Sequence, residues 1–120
     1  MNSQFRKGIL ELCILDQISK GDCYGYQLVE QISQFIDISE GTIYPILRRL
    51  TKDQLCKTYL KESSGGPPRK YYQLTALGQT TYDSQMEQWL SFQKSIKQLL
   101  GKGDRNESVG ISQSPSPRPS

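Results

Sequence analysis

The chain has 120 residues and 35% hydrophobic content, enough for one compact domain with additions and too little for two full cores. Its apolar runs are only a few residues long, which excludes a bilayer-spanning segment, and its start lacks the charged, apolar and small-residue regions of a secretion signal, so a cytoplasmic protein is expected. Net charge is only +3, yet residues 40–71 hold seven Lys or Arg against three acids, the concentration of positive charge that a phosphate-binding surface needs.

Four helical patterns and one strand pair follow in order. In residues 5–19, Ile9, Leu10, Leu12, Cys13, Ile14, Leu15 and Ile18 surround most of a helix, which must therefore be covered on several sides. Gly21 and Asp22 break that pattern. Residues 24–36 carry Gly25, Leu28, Val29, Ile32, Phe35 and Ile36 at the spacing of an amphipathic helix. A short third helix begins at Ser39 as N-cap, with Glu40 in the first turn and Ile43, Ile46, Leu47 and Leu50 inward. Its other side carries Gly41, Tyr44, Pro45, Arg48 and Lys52, flanked by Thr42 and Arg49; Pro45 predicts a local distortion, because it cannot bond to Gly41.

Beyond Asp53 and Gln54 the pattern alternates, so residues 55–61 and 69–74 read as two strands. The segment between them, ESSGGPP, is expected to be a projecting mobile loop rather than a two-residue hairpin turn. Thr75 suits the N-cap of a last helix running to about Leu100, on which Tyr82, Met86, Trp89, Gln93, Ile96 and Leu100 recur at heptad spacing. The rest is Gly, Ser, Pro and charge, the composition of a disordered tail. The expected fold is mainly α with a small β-hairpin: a winged helix-turn-helix domain over residues 1–74, a C-terminal dimerisation helix over 75–101 and a tail over 102–120.

Catalytic chemistry has little to stand on. The sequence has no His, no G-x-S-x-G and no phosphate loop, and its carboxylates occur singly. Cys13, Cys23 and Cys56 lack C-x-x-C spacing, so reduced thiols are expected, with no metal and no cofactor. DNA binding is better supported. Helix three supplies a face for the major groove: Thr42 and Tyr44 as hydroxyl donors near its start, Arg48 and Arg49 about a turn later, and Lys52 at its end. At the hairpin, Pro67 and Pro68 stiffen the loop and Arg69 and Lys70 bring charge to phosphates or a narrow minor groove.

The runs EGTIYPILRRLTKDQL and GPPRKYYQLTALGQ, with the earlier CYGYQLVEQI, resemble the PadR family of transcriptional regulators over about residues 5–100. The resemblance implies a winged-helix repressor that forms a homodimer through its last helix and binds an inverted repeat in double-stranded DNA. The brevity of that helix resembles the small subfamily. By position, Thr42, Tyr44 and Arg48 match the family's recognition helix, Pro68, Arg69 and Lys70 its wing, and Tyr24, Gly25 and Tyr26 the Y-G-Y that begins helix two. Gln54 departs from the family, which usually has Gly there, so a left-handed residue is expected at 54.

Trp89 has two readings. On a heptad seam a large aromatic belongs to the dimer core, and Gln93 there can set register. The resemblance adds a small planar aromatic effector stacked between two copies of Trp89, with Met86, Tyr82 and Phe92 as neighbours. Two alternatives to a DNA-binding regulator stay open: a winged-helix module whose basic face binds another protein, and a small-molecule carrier built around Trp89.

Overall fold

The computed structural model describes residues 3–101, so the expected disordered tail lies outside the described residues. The elements are α1 (Ser3–Ser19), β1 (Cys23–Tyr24), α2 (Gly25–Ser33), α3 (Glu40–Lys52), β2 (Cys56–Ser63), β3 (Gly66–Leu74) and α4 (Ala76–Leu100). The strands form one antiparallel sheet in the order β1-β3-β2. Three helices followed by a hairpin, with a two-residue strand paired to it, make a winged helix. The described chain divides into two compact units, one reaching Gln85 and the other beginning at Met86.

The core sits where the apolar stripes of the first three helices meet the base of the sheet. Leu10, Ile14, Leu15 and Ile18 of α1, Leu28 and Ile32 of α2, and Ile43, Ile46, Leu47 and Leu50 of α3 are buried together with Leu55, Cys56 and Tyr72. Each aliphatic side chain so buried contributes about 1.5–3 kcal/mol. Ile9, Leu12 and Cys13 of α1 are only half-buried.

Helix two is shorter than its periodicity suggests. Its first residue is Gly25 and Tyr24 belongs to β1, whose pairing of Cys23 with Tyr72 and Tyr24 with Tyr71 was not expected. Two residues are too few to show alternation, and their partners lie almost fifty positions away. At the other end, the N–H groups of Phe35 and Ile36 both donate to the Ile32 carbonyl, closing α2 in a turn. Phe35 therefore leaves the apolar stripe and is 86% exposed.

The hairpin also differs from expectation. Strands β2 and β3 extend until Ser63 pairs with Gly66, leaving Ser64 and Gly65 as a tight turn rather than a long loop. Gly65 supplies the left-handed residue, with φ 73°. The prolines are accommodated because the ladder is irregular between Lys61 and Ser63, where missing N–H groups disturb least; the Ser63 hydroxyl donates to the Pro67 carbonyl at 2.6 Å.

Helix three runs unbroken through Pro45. Gly41 and Pro45 are both exposed, so water can replace the bond that proline cannot make. Ser39 is the N-cap through its backbone: its carbonyl accepts from Thr42 and Ile43, while its side chain makes no capping bond. At the far end Gln54 has φ 64°, as its departure from the family pattern implies. Leu55 N–H donates to Leu50 O at 2.9 Å and Gln54 N–H to Thr51 O at 3.0 Å, the paired bonds of a Schellman cap. Thr75 then caps α4: its Oγ1 accepts from Gly78 N–H at 2.9 Å and its hydroxyl donates to the Gln54 carbonyl at 2.7 Å. Gly78 is buried at this junction, where a Cβ would overlap the Leu55 carbonyl oxygen and lie 2.8 Å from Leu74 Cδ1.

Candidate nucleic-acid interface

Helix three turns its apolar side into the core, so geometry alone hands its remaining side chains to two neighbouring surfaces. Arg48 and Lys52 are exposed and face an open groove shared with the hairpin, where Thr58, Lys70 and Tyr72 form the opposite wall. Burial raises the Tyr72 hydroxyl above its ordinary value, Tyr44 and Cys56 add to this, and the nearby Arg48 guanidinium opposes it. These phenols stay protonated at neutral pH and can donate hydrogen bonds.

Thr42 lies on the other side of α3, beside Pro45 and the Arg6 and Lys7 side chains of α1. Arg49 is half-buried and its guanidinium pairs with the Glu11 carboxylate of α1, which ties the two helices together. Only Arg48 and Lys52 on α3 thus carry positive charge that no ion pair engages among the described residues.

Tyr44 is half-buried and packs on the core rather than standing free. Its ring covers Gly25: a Cβ at that position would come within 2.7 Å of both Tyr44 Cζ and the Tyr44 hydroxyl oxygen. The ring borders a second depression, lined by Tyr24, Tyr26, Glu30, Arg69 and Lys70 among others. Burial raises the Tyr44 hydroxyl, with Glu40 adding to the effect.

Alternation along β3 sends its two cations to opposite faces of the sheet. Lys70 shares a face with Tyr72, over whose ring its ammonium lies at 5.9 Å. Arg69 shares the other face with Tyr71, and its guanidinium lies 4.4 Å from the centroid of the Tyr24 ring. That outer face carries a row of rings across all three strands. Tyr24 meets Tyr71 edge to face at 5.4 Å, and Tyr59 stacks on Tyr71 at 5.6 Å. The Tyr59 hydroxyl donates to Asp22 at 2.6 Å, a bond that pushes it up to about 12, and Gln73 Nε2 reaches the same carboxylate oxygen at 3.2 Å. Pro68, Arg69 and Lys70 are all exposed.

Of the residues expected to meet DNA, the structure leaves Arg48, Lys52, Pro68, Arg69 and Lys70 exposed, while the sequence did not single out Tyr24, Tyr59 and Tyr71 as a group. The signal available was aromatic density at alternate positions of the strands. The residues considered for an effector lie along α4. The Tyr82 hydroxyl donates to the Asp16 carboxylate of α1. Burial would raise Asp16, but bonds from Tyr82, Lys20 and Gln17 leave it lowered. Farther along, Met86 and Trp89 are half-buried and Phe92 is 54% exposed.

Among the described residues no group of three or more His, Cys, Asp or Glu could hold a metal ion, and no helix is long and apolar enough to cross a membrane. Cys13, Cys23 and Cys56 are unpaired, and burial raises all three thiols, Cys56 to about 11.

The profile of the transcriptional regulator PadR-like family matches residues 14–84. A PadR-like transcriptional regulator from Bacillus cereus is 41% identical, with a TM-score of 0.74 over 82% of this chain and 97% of that one. The transcriptional regulator YqjI of Escherichia coli is 33% identical over 97 residues, 78% of this chain and 45% of that protein, so the chain spans under half of this relative. The fold is also that of Bacillus subtilis PadR, solved with operator DNA, at 24% identity and a TM-score of 0.60 over 65% and 46% of the two chains.

Proposed function

Because the chain belongs to the PadR-like family of transcriptional regulators, we propose that it is a repressor that binds an inverted repeat in double-stranded DNA as a homodimer. The observation that supports this most is the groove between α3 and the hairpin, where exposed Arg48 and Lys52 face Lys70 across Tyr72. Helix three enters the major groove, Arg48 and Tyr44 approach base edges, and Lys52, Lys70 and Arg69 neutralise phosphates on either side. Arg49 serves chiefly to hold α3 on α1. The shared fold of the Bacillus subtilis protein with operator DNA is consistent with this docking.

The surface of α4 supports pairing through that helix. Leu90, Phe92, Ile96, Leu99 and Leu100 are exposed in the single chain, and a second copy would cover them. Two recognition helices about 34 Å apart then match half-sites one DNA turn apart. Trp89, with Met86 and Phe92 one turn to either side, is the place for a planar aromatic effector, which releases DNA by favouring a dimer with the wrong spacing.

The test is fluorescence anisotropy with a duplex from the chain's own upstream region. Arg48→Ala and Arg69→Ala are expected to weaken binding by about 1–3 kcal/mol each while the dimer persists, and wild-type affinity is expected to fall steeply with salt. Unchanged affinity in both variants removes this DNA face, and salt-independent binding to a protein target favours an interaction module. Planar aromatic compounds are expected to quench Trp89 emission; a dimer whose emission ignores a broad panel of them has no such pocket.

A further inference from the structure

The aromatic row on the outer face of the hairpin has no part in the core, yet it ends on a cation of the interface. We infer that Tyr24 is a positioning residue for DNA binding, holding the Arg69 guanidinium in place against its ring. The inference rests on the reading above and adds to it a residue outside the groove. Tyr24 is half-buried, and Arg69 lies 4.4 Å over its face, well inside the range in which a ring attracts a cation. The ring is itself held. Tyr71 abuts it edge to face, Tyr59 stacks behind Tyr71, and Asp22 binds the Tyr59 hydroxyl and Gln73, so the row is anchored at its far end.

An exposed arginine on a hairpin samples many rotamers, and ordering it on contact with DNA costs side-chain entropy. A ring that already confines the guanidinium removes part of that cost. The backbone of Tyr24 acts separately, since its N–H donates to Gln27 Oε1 at 3.2 Å at the start of α2. Changing the side chain leaves that bond in place, so the two roles are separable.

The experiment is a double-mutant cycle in the full chain, read by anisotropy on the same duplex. Arg69→Ala is expected to lose about 5-fold or more in affinity. Tyr24→Leu is expected to lose about 2- to 5-fold, the worth of an exposed cation–π contact, and to lose nothing further in the Arg69→Ala background. Tyr24→Phe keeps the ring and is expected to stay within about 1.5-fold of wild type, since the quadrupole and not the hydroxyl attracts the cation. Should Tyr24→Leu fail to fold, phenylalanines bearing one, two or three fluorines at position 24 replace it, because they thin the electron density of the ring while nearly keeping its shape. Affinity is then expected to fall stepwise with Arg69 present and to stay flat without it. An equal Tyr24→Leu loss with and without Arg69, or a flat fluorine series, overturns the inference alone. An Arg69→Ala variant that binds as tightly as wild type overturns the wing contact of the functional reading and the inference with it.

Discussion

Replacing Gln54 with glycine is expected to stabilise the fold. Gln54 occupies the left-handed position that ends α3, at φ 64°. A residue with a Cβ pays about 1–2 kcal/mol to sit there. Glycine removes that strain but loses about 0.5–1 kcal/mol more backbone entropy on folding. Taken at their midpoints, the two effects leave a net gain of about 0.75 kcal/mol. Both bonds of the cap are made by backbone groups, Leu55 N–H to Leu50 O and Gln54 N–H to Thr51 O, so the substitution keeps them, and the Gln54 side chain is exposed. In a domain of about 100 residues this corresponds to a rise of about 3–6 °C in Tm. The assay is urea unfolding at fixed protein concentration, since self-association makes stability depend on concentration. Gln54→Ala is the control: it retains the Cβ and is expected to gain nothing from strain relief. A glycine variant no more stable than the alanine variant would show that φ at 54 carries no strain, and the reasoning would fail.

Gly25→Ala is expected to cost about 1–3 kcal/mol by forcing the Tyr44 ring off its seat. In a Tyr44→Ala background the same change is expected to be neutral or mildly stabilising, because alanine is the better helix former at the first position of α2; additive costs in a denaturation cycle would separate the two residues. Alkaline pH is expected to destabilise the protein. Burial raises the Cys56 thiol to about 11, so the folded chain keeps a proton that the unfolded chain releases near pH 9; stability is whole below about pH 9 and declines by on the order of 2 kcal/mol as pH rises towards 11. Cys56→Val is expected to make that decline shallower in a pH series of urea melts, with Cys13 and Cys23 still contributing in the window and Tyr44 and Tyr72 at higher pH. A Cys56→Val profile as steep as wild type would leave the decline to Cys13, Cys23 and the tyrosines.

The order of elements could be read because each long element declares itself locally. Helix three shows its buried stripe within eight residues, and the strands of the hairpin alternate. Gln54 was legible as an exception, since a non-glycine residue after a recognition helix must take the glycine's backbone angle. The illegible parts depend on partners far away in the chain. Gly25 makes sense only once Tyr44 is seen above it, and Arg49 looks like a free cation until Glu11 of α1 is found beside it. Composition misled at the hairpin, where Gly-Gly-Pro-Pro suggested a loop. A two-residue turn and an irregular ladder let the strands absorb those residues instead. The tyrosine row is distributed over β1, β2 and β3, so no single stretch of sequence displays it.

Placing Arg69 and Lys70 on opposite sides of one strand gives the hairpin a parity. Deleting or inserting one residue between Lys70 and the buried Tyr72 would invert both cations, sending Lys70 to the tyrosines and Arg69 towards α3. A change of two residues would restore each to its side and merely alter the reach. Among homologous wings that keep this division of labour, the spacing from these cations to the buried aromatic at the strand base should therefore differ by even numbers, unless a bulge absorbs the odd residue.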